Sequence, residues 1–127
     1  MDKIIYGWKE FEQDALSLAC MCGMGSYAAV FGVPRGGCCL AVRLSDLLRL
    51  PLVGRPGNRT LVVDEVIDSG KTRDRFYKFD FACLHVKNIA QYAVQCETWT
   101  THYVDSRWIV YPWERSEGRI TINDIVP

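Results

Sequence analysis

No apolar run in this 127-residue sequence approaches the roughly 18 residues that a membrane-spanning helix needs. The N-terminus, with Asp2, Lys3, Trp8 and Glu10, lacks the basic-then-apolar pattern of a secretory signal, so the cytoplasm is the expected address. An excess of one charge is missing too. With 15 basic against 15 acidic residues the chain has no net charge, and nothing in it predicts a nucleic-acid or membrane partner. Six cysteines are present, but none forms a C-x-x-C pair: Cys20 and Cys22 are spaced C-x-C, and Cys38 and Cys39 are adjacent. That spacing argues against a structural zinc site, and outside a secreted chain the expectation is reduced, mostly buried thiols. No repeat, low-complexity tract or linker divides the sequence. Residues 1–127 therefore read as a single domain, and 49% hydrophobic residues suffice for a real core.

What is present is alternation of helix and strand patterns. Trp8, Phe11, Ala15, Leu18 and Cys22 recur at three- and four-residue steps, which predicts an amphipathic helix over roughly residues 8 to 22, ended by Gly23 and Gly25. "YAAVFGV" (27–33) reads as a buried strand. "PRGG" (34–37) is a turn opening a second helix, "CCLAVRLSDLLRL", with Leu40, Leu44, Leu47 and Leu48 inward. "PLVG" suggests a short strand and "RPGNR" a turn; "TLVVDE" is a buried strand, "DSGKT" a turn and "RDRFYKF" a short helix. "DFACLHV", "QYAVQCE" and "WIVYPW" supply further strands. This order predicts an α/β fold, a mainly parallel twisted sheet flanked by helices and Rossmann-like in plan. Ligands in such folds sit beyond the carboxyl ends of the strands, where both glycine-rich turns fall.

The stretch "TLVVDEVIDSGKT" (60–72) joins an apolar strand, two adjacent carboxylates, a third carboxylate and a glycine turn. Backbone N–H groups at a strand-to-helix turn favour a phosphate. Ser69, Gly70 and Thr72 can approach an anion closely, Gly70 by having no side chain and the hydroxyls by donating. Asp64 and Glu65 are acceptors suited to ribose hydroxyls or to a hydrated divalent cation. A phosphorylated sugar would need both kinds of group, and Asp68 is a candidate proton acceptor beside it. "GKT" also ends a P-loop, but that motif requires glycine five residues before Gly70, where Glu65 stands. A solvated acidic turn would explain the carboxylates without explaining Ser69, Gly70 and Thr72.

"LVVDEVIDSGKT" resembles the phosphoribosyl pyrophosphate (PRPP) signature of the type I phosphoribosyltransferases. "GVPRGG" is similar to that family's pyrophosphate loop, and "WIVYPWE" (108–114) to the small C-terminal purine-binding segment of its xanthine-guanine members. The blocks stand in the family's order and, with the Lys87 strand, cover most of the chain. The resemblance implies that Asp64 and Glu65 hold the ribose hydroxyls, with Glu65 nearest a magnesium ion (Mg2+). It places Asp68, Ser69, Gly70, Lys71 and Thr72 around the 5'-phosphate, and Arg35, Gly36 and Gly37 at the pyrophosphate. It further implies a cis peptide between Pro34 and Arg35. Trp108 would stack on the purine, Ile109 would offer backbone groups to the ring edge, and Lys87 would donate to an oxygen at C6. A lysine donates to a carbonyl and not to an amino group, which selects 6-oxopurines: guanine, xanthine or hypoxanthine. Asp68 and Arg35 would carry the chemistry, and a homo-oligomer, dimer or tetramer, is implied.

In one respect the chain departs from the family pattern. Relatives carry a long mobile loop before the PRPP strand, whereas "VGRPGNRT" leaves a tight turn. This leaves two expectations: an enzyme working in a more open site, with Arg55 or Arg59 as possible helpers or a second subunit as cover, or a catalytically weak PRPP- or nucleotide-binding regulator on the same scaffold.

Overall fold

The computed structural model describes residues 2–88 and 96–114. Strand β1 (Ile4–Ile5) leads into helix α1 (Trp8–Cys22), β2 (Ala29–Gly32), α2 (Cys38–Leu48), β3 (Thr60–Val63), β4 (Val66–Ile67), α3 (Lys71–Arg75), β5 (Phe81–Lys87), β6 (Thr98–Val104) and β7 (Ile109–Val110). The five-stranded sheet runs β2-β3-β5, with β6 along one edge of β5 and β3 then β4 along the other; β1 pairs with β7 separately. Every one of these pairings is parallel.

Helix α1 starts at Gly7, whose N–H donates to the Glu10 carboxylate, and its periodic face buries Phe11, Ala15, Leu18 and Cys22. Trp8 departs from expectation. It is 55% exposed, with its ring edge-on to Phe11 and tilted against Trp113. Helix α2 buries Leu40, Ala41 and Leu44, with Leu47 and Leu48 partly covered, and stops where Arg49 turns left-handed at φ 57°. These two helices cover one face of the sheet through Val30, Leu61, Val63, Ala82 and Leu84. The other face, Val62, Phe81, Cys83 and Val86, is covered by Phe31, Phe76 and Phe79. A buried Leu such as Leu18 or Leu44 should cost about 2–5 kcal/mol when cut to Ala.

Three local expectations need correction, and a fourth falls outside the described residues. "PLVG" makes only an isolated bridge from Leu52 to Val30, because Pro51 has no N–H to continue a ladder. The helix expected from Arg73 begins at Lys71 and ends at Arg75, the chain turning at Phe76. "TLVVDE" is not one strand: pairing stops after Val63 and resumes at Val66. Finally, the strand placed in "QYAVQCE" falls largely outside the described residues, while Thr98–Val104, where a polar face hides the alternation, is a seven-residue strand. Strand β1 was not expected from the sequence either.

Candidate active site

The interruption between β3 and β4 builds the acidic corner. Asp64 N–H donates to Ala82 O at 3.0 Å, and Glu65 C=O then accepts from both Leu84 and His85 N–H at 3.0 and 3.2 Å. Two donors on one carbonyl mark an irregular ladder, which re-aims side chains as bulges do. Asp64 is 7% exposed and its Oδ1 accepts from Glu65 N–H at 2.9 Å; Glu65 is less deeply buried. Burial raises both acids. Glu65 is pushed up to about 8, by burial first and then by its neighbour Asp64. Such a pair gains from a cation or from hydroxyl donors.

The "PRGG" loop lies directly against this corner. A β-carbon on Gly36 would fall 1.4 Å from Glu65 Oε2, and one on Gly37 would fall 2.4 Å from Val63 O. The two glycines are therefore dictated by close approach of the loop to the acid pair. The Pro34–Arg35 peptide is cis, as the family resemblance implies, and the Arg35 side chain is exposed at the loop's rim. Gly37 caps α2, so the helix's N-terminal end opens at the same place.

On the far side of the acids, residues 64–73 enclose a pocket of about 180 Å3. Gly70 is left-handed at φ 91°, a conformation glycine adopts without strain, and Lys71 N–H reaches Ser69 Oγ at 3.3 Å. Ser69 and Lys71 are exposed and Thr72 is half-buried. With five residues α3 has little dipole of its own, and the left-handed turn at Gly70 with the backbone of residues 69–72 is the candidate cradle for an anion.

A second pocket of about 230 Å3 is lined by Glu65, Val66, Asp68, Lys87, Trp108, Ile109, Tyr111 and Glu114. It shares Glu65, Val66 and Asp68 with the cradle, so the two are contiguous. Lys87 is buried at the end of β5; its Nζ lies 3.7 Å from Asp68 Oδ2 and 5.8 Å from the Trp108 ring centre. Trp108 is 62% exposed and presents an open face, while Ile109 is buried in β7. A flat apolar face beside a fixed cation and a carboxylate can hold a planar heterocycle that carries a carbonyl.

Tyr111 and Glu114 were not singled out in the sequence, although both belong to the segment that contains Trp108. The Tyr111 hydroxyl lies 2.9 Å from His85 Nδ1 and donates to Glu65 O at 3.3 Å, bracing the acidic corner from below. His85 is pushed down to about 4, first by burial and then by His102, which stacks on it. Burial, and after it Glu65, raises Glu114. Arg59, a candidate helper, precedes the first residue of β3 and so lies at the opposite end of the strand from Asp64; Arg55 is exposed in the turn.

No family model and no curated protein matches the chain. Solved structures do. A purine phosphoribosyltransferase from Pyrococcus horikoshii Ot3 superposes with a TM-score of 0.74 at 25% identity, over 95% of this chain and 99% of that one. A hypothetical protein from Neisseria gonorrhoeae with bound ppGpp gives 0.73 at 20% identity, over 92% and 93%. The xanthine-guanine-hypoxanthine phosphoribosyltransferase of Helicobacter pylori gives 0.69 at 23% identity, over 87% and 90%. The fold is thus that of the type I phosphoribosyltransferases. Among structures of that fold, it is similar to the xanthine-guanine-hypoxanthine enzyme of Helicobacter pylori.

Proposed function

We propose that the protein transfers the 5-phosphoribosyl group of PRPP to a 6-oxopurine, releasing pyrophosphate and forming the nucleoside 5'-monophosphate. The observation that carries this reading is the contiguity of three parts: a glycine loop against an acid pair, an anion cradle, and a pocket pairing Lys87 with Trp108. Bound across them, the 5'-phosphate lies on the N–H groups of residues 69–72, the ribose hydroxyls face Asp64 and Glu65, and the pyrophosphate meets Arg35, Gly36 and Gly37. The purine stacks on Trp108 with its C6 oxygen toward Lys87. As pyrophosphate leaves, Arg35 offsets its charge and C1' gains oxocarbenium character; Asp68, beside Lys87, receives the proton lost by the attacking purine nitrogen.

The all-oxygen Asp64–Glu65 corner fits magnesium, which usually takes one or two carboxylates plus substrate phosphates and water. When bound it would supply neutralisation of pyrophosphate charge. Burial raises Glu65, so cation binding there competes with a proton. Chelation should abolish turnover, and added Mg2+ should restore it.

The deciding experiment is incubation of the purified protein with PRPP, Mg2+ and guanine, xanthine or hypoxanthine, following nucleotide formation. A second reading is favoured by the short connection before β3 and by the likeness to a protein with bound ppGpp: a regulator that binds PRPP or a guanine nucleotide in the same pocket without turnover. Tight binding of PRPP or ppGpp with no nucleotide from any base would select it.

A further inference from the structure

Arg73 is the largest fully buried side chain among the described residues, at 0% exposure, and it stands one residue after the proposed phosphate cradle. Its neighbours in α3, Lys71 and Arg75, point to solvent. Arg73 instead spans the gap to the rest of the fold. Nε donates to Thr98 Oγ1 at 3.0 Å, Nη1 to Phe76 O at 3.0 Å, and Nη2 to Cys96 O and Glu97 O, each at 3.3 Å. The guanidinium carbon also sits 5.0 Å from the Phe81 ring centre. One side chain thus joins α3 to the turn that ends it, to the chain entering β6, and to the first residue of β5.

A five-residue helix is far below the length that is stable alone, so contacts to the rest of the fold must hold α3 in place. A buried cation is tolerated only when its donors are satisfied, and four bonds to separate acceptors fix the guanidinium in one geometry. Arg73 also lines the cradle pocket, while its guanidinium reaches past it to the start of β5 and β6.

We propose that Arg73 is the positioning residue of the 5'-phosphate cradle: by tying α3 to the start of β5 and β6 it fixes the angle at which residues 69–72 present their N–H groups. This rests on the phosphoribosyl-transfer reading of the site. The purine pocket, held by β5 and β7, does not depend on it.

The test compares Arg73→Met and Arg73→Lys with the wild type, measuring binding of PRPP, of ribose 5-phosphate and of guanosine, which lacks the phosphate. Arg73→Met should weaken both phosphorylated ligands at least tenfold and leave guanosine within twofold. Arg73→Lys, which keeps charge but not the fork of donors, should fall between. In turnover, KM for PRPP should rise more than kcat falls. Should Arg73→Met fail to fold, Thr98→Val removes one acceptor without touching α3, and should weaken ribose 5-phosphate about threefold while sparing guanosine. Equal losses for guanosine and the phosphorylated ligands, or unchanged PRPP affinity in the folded variants, would overturn the role. A wild type that binds guanosine but neither phosphorylated ligand would overturn the cradle itself, and the proposed function with it.

Discussion

The phosphate side and the base side of the site are built by different means. On the phosphate side the chain meets itself: Gly36 against Glu65, Gly37 against Val63, and a fully buried Arg73 beneath the cradle. On the base side the recognition surface is made of side chains on an open shelf, Trp108 62% exposed and Asp68 68% exposed, with only Lys87 fixed below them. Geometry set by backbone packing tolerates almost no added atom, whereas a side-chain shelf loses one contact at a time. Disturbance should therefore be severe and general on the first side, graded and ligand-specific on the second.

The largest effect is expected from Gly36→Ala. The new methyl must displace the Glu65 carboxylate, a flexible group, so the fold should survive while the acid pair is misplaced. A misplacement of about 1 Å is enough to cost roughly 100-fold in turnover. Measurement of kcat/KM for PRPP beside a thermal melt checks this; an active Gly36→Ala protein would show that loop and acids do not act together. Asp68→Asn comes next. It keeps shape but removes the charge that takes up the purine's proton, and should lower kcat about 100-fold with PRPP affinity little changed. Loss of PRPP binding instead would move Asp68 to the phosphate side of the comparison.

Trp108→Ala should weaken purine or nucleotide binding by about 1–3 kcal/mol, the worth of one base–aromatic stack, with melting temperature and PRPP affinity unaffected because the ring is largely exposed. Equal weakening of both ligands would mean that the two sides are not separable. A last effect, on stability and not on either ligand, concerns His85. Burial lowers its pKa from 6.5 to about 4, so below pH 6.5 the unfolded chain binds a proton that the folded chain refuses. Its contribution is present above pH 6.5 and is lost as pH falls toward 4, at up to about 1.4 kcal/mol per pH unit. Denaturant titrations of wild type and His85→Gln across that window should show the steeper acid loss in the wild type.

The site was legible where one short segment carries several functions at once. "DEVIDSGKT" and "PRGG" drew attention because acids beside an anion turn, and paired glycines at a strand end, have few structural uses. Tyr111 and Glu114 passed unnoticed because an aromatic and an acid near a C-terminal strand are common, and only folding puts them against Glu65. Arg73 was not singled out within "RDRFYKF", since an isolated arginine carries no sign that four acceptors await it. The strand Thr98–Val104 was missed for a related reason: its Thr and His side chains make it look like a polar loop, while its pairing is dictated by β5 beside it.

By itself the sequence determined the alternation of helices and parallel strands, the buried face of α1 and the order of the phosphate-binding blocks. These follow from periodicity and glycine placement, which act over a few residues. Only the tertiary structure decided that the strand breaks at Asp64 and Glu65, that Trp8 faces solvent and that Arg73 faces the core. Each of those depends on which atoms arrive from distant parts of the chain: Leu84 and His85 donating to one carbonyl, Trp113 meeting only one side of Trp8, and the carbonyls of Cys96 and Glu97 meeting the guanidinium. Hydrogen bonding and burial are properties of such meetings, and local sequence does not contain them.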